Sequence, residues 1–410
     1  MSARAVLLLL PPLLLLPARA LAQEAPAEGT RLERLYLSPS TLLGSSRVTA
    51  LGGAYVGIAE GAEGLNVNVA SVAHRSAHLE RDWDAGFSLS WLQLPFTNPE
   101  QKDVDNDGQP DDALEQRQLL AGVLLQYRRY GLGFNIRNSH VAYCATEACD
   151  EEGRIRASLT TSLLTGGFSL GRDDFLLALG LYAAEARFTY LGETWRYGNT
   201  GIAFDFLFRP HGRPYRVGIA VRPEVVGKWR PRDGQVPFLA GRQLYSAVVS
   251  PGLYSFGASW RFGNGREHYN RLSAAARRQL AEDGEEVAEE DLSQPAGRMT
   301  LSAQLDFIDG VEAALPVRAF TSLGSPALIG GAALLQPRIG VEHETLVNRL
   351  RTRVGAFVEP SPFPDAGPRP HLTGGFEVFV LRYWEDWALT ASFDVARRYT
   401  NLGLSIGFWR

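Results

Sequence analysis

Apolar and polar residues alternate with a period of two along most of the chain from about residue 85 onward. The stretch 254–262 (YSFGASWRF) shows the pattern, because large apolar side chains occupy every second position and small or polar residues stand between them. Similar alternation occurs in 130–137, 299–307, 389–395 and 402–408. Successive side chains of a β-strand point to opposite faces, so each stretch predicts a strand with one apolar face and one small or polar face.

Two architectures share this pattern, the soluble β-sandwich and the outer-membrane barrel. The apolar face points to the core in a sandwich, whereas in a membrane barrel it points to lipid and the polar face lines the lumen. Strand length favours the barrel, because three stretches can supply the ~9–11 residues with which a tilted strand crosses a bilayer. These stretches are 117–127, 174–187 and 215–229. Sandwich strands commonly have about five or six residues.

Connection lengths favour the same architecture, because short and long connections alternate. The predicted short connections lie near 128–129, 170–173, 210–214, 251–252, 308–313, 344–347 and 382–386. The predicted long ones lie near 96–116, 141–154, 188–198, 230–240, 263–297, 322–335 and 359–370. Outer-membrane barrels have short periplasmic turns and long outer loops. We therefore predict an all-β fold for 85–410, a transmembrane antiparallel up-and-down barrel of about 14 strands, with about 16 as the upper count.

The two ends of the chain are typical of an exported barrel. Arg4 and the apolar stretch Ala5–Leu16, followed by small residues up to Ala22, predict a signal peptide over 1–22. Its apolar run is too short to span the ~30 Å hydrocarbon core. The last strand ends with Phe408 and Trp409, which resembles the signal for barrel-assembly machinery, although Arg410 follows. We expect Sec export to the outer membrane of a Gram-negative bacterium.

Composition narrows the remaining chemistry. The net charge of −4 argues against a nucleic-acid partner. The two cysteines, Cys144 and Cys149, share the short segment CATEAC, and in an oxidising compartment they predict a local disulfide. The alternative is a metal site, which would need further ligands nearby, and the sequence shows none. Sequence motifs of hydrolases, metalloproteases, P-loop proteins and dinucleotide-binding enzymes are absent, so we predict that the protein is not an enzyme.

Two segments depart from the alternation. Residues 23–84 precede the barrel and contain the small-residue run 51–59 (LGGAYVGIA), which predicts a helix and tight turns packed inside the lumen as a plug. Residues 263–297 contain a charged helical stretch, 271–282, followed by an acidic run. We predict that 263–297 is a long charged outer loop whose helix is a solvated surface element.

Residues 46–70 (SRVTALGGAYVGIAEGAEGLNVNVA) resemble the N-terminal plug of the long-chain fatty acid transporter family of outer-membrane barrels. The same signature occurs in relatives that take up aromatic hydrocarbons and in barrels associated with type IX secretion. Residues 338–343 and 350–356 are similar to that family's paired late strands. The resemblance thus touches both ends of the chain, while the middle matches only in its rhythm of strands and connections.

The resemblance implies a passive mechanism in a plugged lumen. A hydrophobic ligand enters from outside, occupies an apolar pocket and leaves past a shifted plug or sideways into the membrane. The expected plug residues are Gly52, Gly53, Asn68 and Ala70, with the alternative that they only end a helix. The family's Asn-Pro-Ala is Asn68-Val69-Ala70 here. Because proline fixes φ and lacks an N–H donor, we expect this turn to be looser or differently closed.

An aspartate-rich loop suits calcium. Its spacing D-x-D-x-D-G brings carboxylates to one curled loop, with Gly108 allowing the sharp turn. The expected ligands of Ca²⁺ in the 103–112 loop are Asp103, Asp105, Asp107 and Asp111. Leu114 occupies the place of the EF-hand glutamate, so the loop is more similar to the calcium loops of thrombospondin-type repeats. The alternative is an acidic, solvated loop.

Three arginines at alternate positions suggest a second site. Arg349, Arg351 and Arg353 share one strand face and are predicted to point into the lumen, where they could bind a ligand carboxylate bidentately. The alternative is that they fill the lumen through salt bridges to plug acids such as Glu60 or Glu63.

Three functions are compatible with these features. The first is passive uptake of long-chain fatty acids or other hydrophobic compounds, with outer-membrane lipid and a hydrophobic small molecule as partners. The second is a plugged barrel that does not transport but docks partners at the surface, which the altered turn motif and the charged loop favour. The third is a soluble periplasmic β protein. An apolar cavity behind the plug would favour the first, a lumen filled by arginines and acids the second, and a polar outer surface the third.

Overall fold

The structure is a computed structural model. It describes residues 34–36, 43–77, 81–93, 103–109, 113–144, 154–190, 192–229, 238–239, 242–243, 247–263, 265–284, 297–311, 314–316 and 329–408. The predicted signal peptide, 1–22, lies outside these ranges and stays a prediction. No helix within them is long and apolar enough to cross a membrane.

Strands dominate the described residues. In chain order they are β1 (Arg34–Tyr36), β2 (Trp83–Leu92), β3 (Ala113–Tyr127), β4 (Tyr130–Cys144), β5 (Arg154–Leu170), β6 (Phe175–Tyr190), β7 (Glu193–Phe208), β8 (Tyr215–Arg222), β9 (Val225–Trp229), β10 (Phe238–Leu239), β11 (Arg242–Gln243), β12 (Ala247–Ser250), β13 (Leu253–Phe262), β14 (Met299–Ile308), β15 (Ala314–Pro316), β16 (Leu334–Leu346), β17 (Leu350–Glu359), β18 (Arg369–Tyr383), β19 (Glu385–Ala396) and β20 (Tyr399–Phe408). The α-helices are α1 (Ser46–Ala50) and α2 (Ala274–Glu282), and 3-10 helices span Ala62–Gly64, Val69–Ala73 and Arg266–Asn270.

The strands close into a 14-stranded antiparallel barrel. The ring runs from β2 to β7, continues with β8 and β9 as two halves of one strand and β12 and β13 as two halves of the next, and then takes β14 and β16 to β20. β20 pairs with β2, from Ser88 opposite Gly407 to Leu92 opposite Gly403, which closes the ring. The predicted antiparallel barrel of about 14 strands is therefore confirmed.

The outward and inward faces follow the alternation in the sequence. In β4, Leu132 is 63% exposed on the outer face, whereas its neighbours Gly131 and Gly133 are buried. Large apolar side chains are likewise exposed along the other spanning strands, for example Leu181 and Leu404. An exposed apolar band of this extent suits lipid and not water. It argues against the hypothesis of a soluble periplasmic protein.

Three predicted connections are wrong. Pro251 and Gly252 interrupt a strand instead of reversing the chain, because β12 pairs with β9 and β13 continues in the same direction along β8. Proline removes a ladder donor and so breaks the pairing locally without making a turn. The predicted long connection at 188–198 is a tight turn, since β6 and β7 stay paired up to Tyr190 and Glu193. The predicted short connection at 308–313 leads to no further wall strand, because β14 pairs directly with β16, from Met299 opposite His343 to Ile308 opposite Leu334. The upper count of 16 strands fails with the turns predicted at 251–252 and 308–313.

The connections define two ends of the barrel. The short-turn end carries the connections 128–129, 171–174, 209–214, 347–349 and 384, and in outer-membrane barrels such turns face the periplasm. The opposite end, which we call the long-loop end, carries the loops that include 103–109 and 360–368.

The charged segment 263–297 lies at the short-turn end, so its prediction as an outer loop is wrong. Its described part, 265–284, contacts three other connections at that end. Gly212 donates to the carbonyl of Asn270, Ser273 donates to Asp173, and Arg278 pairs with Asp82 at 2.7 Å. The error has a simple cause, because counting 251–252 as a turn reversed the end assigned to the next connection, and the second error at 308–313 restored the assignment from 344 onward. Helix α2 is also partly buried, because its Ala276 and Leu280 form a buried cluster with Leu272, which precedes the helix.

Candidate functional site

Residues 43–77, which we call the lumen segment, are enclosed by the ring of strands. Helix α1 packs against β17 to β20, and the 3-10 helix Val69–Ala73 packs against β3 to β7. Val48, Leu51, Tyr55 and Leu65 have no exposed surface. This placement agrees with the predicted plug over 23–84, of which 34–36, 43–77 and 81–84 are described.

Backbone packs directly against backbone where the lumen segment meets the wall. Gly52 has φ of +62°, and a Cβ at this position would lie 2.8 Å from the carbonyl oxygen of Ala356 in β17. From the other side, a Cβ on Gly355 would lie 2.4 Å from the nitrogen of Gly52. Gly53 also has a positive φ, of +79°. Only glycine tolerates both the left-handed backbone and this close approach.

Polar side chains of the wall strands form hydrogen bonds with main-chain groups of the lumen segment. The Gln304 Oε1 atom accepts hydrogen bonds from the nitrogens of Tyr55 and Val56, both at 3.0 Å. Asn68 Nδ2 donates to the Val56 carbonyl at 2.9 Å and to the Phe206 carbonyl at 3.2 Å. Irregular backbone can be buried only when its donors and acceptors find such partners.

The Asn68-Val69-Ala70 turn is closed in a way that proline would prevent. Asn68 Oδ1 accepts from the nitrogen of Ala70 at 2.9 Å, which makes a local turn. The nitrogen of Val69 donates to the carboxylate of Asp205 in β7. Asp205 also accepts from Val221 and Arg222. Because proline has no N–H group, valine gives this turn an additional anchor to the wall.

A network of ion pairs joins the lumen segment to β16, β17 and β18. Arg47 in α1 binds Glu342 at 3.1 Å and Glu60 at 3.1 Å. Arg353, whose side chain is completely buried, binds Glu342 at 2.6 Å and Glu377 at 2.7 Å. Burial alone would raise the pKa of Glu60, but Arg216, at 2.7 Å, and Arg47 hold that pKa well below its usual range.

The three predicted arginines therefore do not form one set. Arg351 and Arg353 point into the lumen, where both bind Glu377. Arg349 lies in the exposed turn after Asn348, whose φ is +53°, so the prediction that it shares their face is wrong. The alternation begins only with β17 at Leu350, after this turn. Of the two predicted plug acids, Glu60 binds Arg47 and Arg216 instead of these arginines.

Above the lumen segment, towards the long-loop end, the interior is apolar. Leu35 of β1 is packed into a cluster on the inner faces of β5, β6 and β7. The buried members of this cluster are Leu35, Ala157, Ala186, Phe188, Trp195, Tyr197 and Val248. We call this set the apolar cluster. β1 itself pairs in parallel with β12 of the wall on one side and, on the other, with the short strand β15, which is not part of the ring.

The wall is interrupted beside the apolar cluster. β7 pairs with β8 through Phe204–Phe208 and with β9 through Tyr197 and Gly198, and residues 199–203 form no ladder pair with either strand. Pro223, between β8 and β9, lacks the donor that a continued ladder needs. The Tyr182 hydroxyl donates across the gap to the Pro223 carbonyl at 3.0 Å. A small cavity of about 20 Å³ lies here, lined by residues such as Tyr197, Val225 and Val248.

The aspartate-rich loop packs on the long-loop end. Carboxylate oxygens of Asp103, Asp105 and Asp107 lie within 4.8 Å of one another. Backbone nitrogens of Asp107 and Gly108 donate to Asp103 and curl the loop. Burial raises the pKa of Asp103, and the nearby Arg369 opposes that shift. Asp111 lies outside the described residues, as does Cys149, so the fourth ligand and the disulfide with Cys144 stay predictions.

Fold and lumen together define a class, a closed 14-stranded membrane barrel whose lumen is occupied by its own N-terminal segment. Three solved structures share this fold. A FadL homologue from Pseudomonas aeruginosa has 11% identity and a TM-score of 0.54, over 90% of this chain and 98% of that chain. The CymD monoaromatic hydrocarbon channel has 10% identity and a TM-score of 0.51, over 90% and 97%. The Pseudomonas putida toluene transporter TodX has 11% identity and a TM-score of 0.50, over 92% and 99%.

At these identities the likeness shows the fold. It confirms the predicted resemblance to the long-chain fatty acid transporter family at that level. No protein-family model matches the chain, and no curated protein matches its sequence.

Proposed function

We propose that the protein is an outer-membrane channel for passive uptake of hydrophobic compounds, with the lumen segment as its plug. The apolar cluster carries this proposal, because it extends from the long-loop end to the interruption of the wall beside β7. Proteins that share the fold include a toluene transporter and a monoaromatic hydrocarbon channel. Small aromatic hydrocarbons and long-chain fatty acids are therefore the two ligand classes to test. Barrel-assembly machinery is the partner expected during biogenesis.

Exit of the ligand sideways through the wall is compatible with the ion pairs that fill the half of the lumen nearest the short-turn end. A hydrophobic molecule moving straight to the short-turn end would meet the buried ion pairs of Arg47 and Arg353. Separating a buried pair costs about 3–5 kcal/mol. Leaving through the wall beside β7 keeps the ligand among apolar groups and delivers it to lipid. In the closed structure the cavity there holds no more than about one water, so passage requires side chains around the gap, such as Tyr182 that bridges it, to move.

Filling this cavity is expected to block uptake. Gly227 lines it, and a Cβ there would meet nothing closer than 3.5 Å, so Gly227→Leu adds bulk without a main-chain clash. We expect at least a tenfold lower rate of whole-cell uptake of radiolabelled toluene or oleate, in a Gram-negative host lacking its own channel. Gly166→Leu is the matched control, because Gly166 lies in β5 with a Cβ position that meets only Leu132, at 3.5 Å. Equal uptake by both variants would contradict exit at this place.

The alternative function is a barrel that docks partners at the surface without transport. The ion pairs that fill the lumen around Arg47 and Arg353 favour it, because they leave no apolar path to the short-turn end. The same uptake assay separates the two functions. Uptake no faster than in the host without the protein, for both toluene and oleate, would favour docking.

We further propose that the 103–112 loop binds Ca²⁺ and is ordered by it. Three carboxylates on a curled loop are the ligands that a hard cation prefers, and extracellular modules of this kind bind at about 10⁻⁴–10⁻³ M. Calorimetric titration of the detergent-solubilised protein with Ca²⁺ should show one such site. Asp105→Asn should weaken it at least tenfold, whereas Asp365→Asn, on an exposed neighbouring loop, should not. A titration in which both variants match the unmodified protein would exclude a site in this loop.

A further inference from the structure

A second, charged cavity lies at the short-turn end of the lumen, well away from the apolar cluster. Its volume is about 130 Å³, and its walls come from the end of the lumen segment, the connection after β7 and the segment that precedes β14. Eight arginines line it, against three glutamates. Arginine at this density is unusual unless carboxylates match it, because burying an unpaired charge is costly.

The carboxylates do not match the arginines. Glu60, Glu342 and Glu344 are already bound by Arg216, Arg47 and Arg298, and Glu377 binds Arg351. Counted over the described lining residues, eight arginines stand beside three glutamates, and the adjacent Glu377 is shared with Arg353. Asp173, whose charge also acts on Arg209, accepts hydrogen bonds from Ser169 and Ser273 instead.

Two arginines stand out as donors with unused capacity. Arg209 is only 4% exposed, its Nη2 donates to the Arg271 carbonyl, and its buried Nε has no hydrogen-bond partner among the described residues. Arg261 donates from Nε to the Thr300 hydroxyl at 3.3 Å and pairs with no carboxylate in the described part of the chain. Its guanidinium carbon lies 4.1 Å from the centre of the Tyr269 ring, with Arg216 at 3.8 Å from the same centre.

The electrostatics point the same way. Burial and the neighbouring charge of Arg216 lower the pKa of Arg209 to about 10, so its positive charge is held at a cost. A bound anion would remove that cost. Planar guanidinium groups converging on one space are the arrangement by which proteins bind phosphate oxygens.

We propose that this cavity binds a phosphate group, held by Arg209 and Arg261 at the short-turn end of the lumen. The excess of positive charge suits a dianion better than a single carboxylate. His74 and Ser76 of the lumen segment also line the cavity, so the bound anion would fasten the end of this segment to the wall. The phosphate group has two sources, free inorganic phosphate or a phospholipid headgroup. The site does not depend on the hydrophobic route proposed above.

Calorimetry and thermal unfolding of the full mature protein in detergent test the proposal. Inorganic phosphate should bind saturably and raise the Tm relative to chloride at equal ionic strength, because a ligand of the folded state stabilises it. Arg209→Gln with Arg261→Gln should weaken phosphate binding at least tenfold and remove the Tm shift. Arg382→Gln is the control, because Arg382 is exposed and paired with Asp386 at the same end.

The outcomes decide both the site and its source. The titration is repeated with soluble dihexanoyl phosphatidate in place of inorganic phosphate. Binding of phosphatidate alone identifies a site for a phospholipid headgroup, and binding of inorganic phosphate alone identifies a site for free phosphate. Variants are compared only when their unheated samples migrate as folded barrels on a denaturing gel. No saturable binding of either probe would overturn the proposal. So would binding that the double variant retains in full.

Discussion

Replacing Arg353 by alanine is expected to lower the free energy of unfolding by about 3–5 kcal/mol. The side chain is fully buried and binds Glu342 and Glu377 at 2.6 and 2.7 Å. Removing it leaves two buried carboxylates that have lost a shared cation, and the uncompensated charge is the main cost. Guanidinium unfolding of the protein in detergent, followed by tryptophan fluorescence, measures the effect.

The turn before β17 offers a close control. Arg349 lies four residues earlier but in the exposed turn before β17, so Arg349→Ala should change stability by no more than about 0.5 kcal/mol. Combining Arg353→Met with Glu377→Gln should recover part of the loss, because a neutral pair of similar volume removes one of the stranded charges. Similar losses from Arg349→Ala and Arg353→Ala would show that the network does not stabilise the barrel in the way described.

Deleting residues 23–80 is expected to turn a closed barrel into a conducting pore. The deletion removes β1 and the lumen segment, so β12 loses its pairing with β1, while the pairs that the ring strands from β2 to β20 form with one another remain. The inward faces it uncovers are polar or small, including Gln304, Thr373 and Ser405. Water therefore fills the space, as in barrels with a polar lumen. Planar bilayer recordings should show discrete opening steps for the variant and a closed baseline for the intact protein.

A replacement outside the lumen is the control for damage to the barrel. Exchanging helix α2, 274–282, for a flexible glycine-serine linker alters the short-turn end but leaves the lumen segment in place, so the baseline should stay closed. A folded 23–80 deletion variant that does not conduct would mean that the wall itself closes the lumen. The plug function would then fail.

Much of the wall could be predicted from local sequence. Alternate residues of a strand lie on opposite faces, so the strand's own sequence indicates which face is apolar. Leu132 and Gly131 therefore indicate the lipid and lumen sides of β4 without knowledge of any partner strand. The small-residue run of the lumen segment is also local, because backbone contact such as that of Gly52 with Ala356 requires glycine.

The rest depends on partners that are distant in sequence. The same dipeptide, Pro-Gly at 251–252, is typical of a turn, and only the pairing with β8 and β9 shows that it interrupts a strand. Asp205 was missed as an anchor, although a single carboxylate between Phe204 and Phe206 on a lumen face is a signal that such a group has a buried partner. Arg47 and Glu342 lie at opposite ends of the chain, and no spacing rule connects them.

The position of β1 sets the order in which this barrel can assemble. β1 lies near the start of the chain but pairs with β12 and β15, which follow it by about half the chain or more. Contacts between such distant segments form late, because the loop between them must first be closed. The first strand in chain order among the described residues is therefore among the last to pair. β1 joins the structure from inside the ring after β12 and β15, the two strands that hold it, have formed.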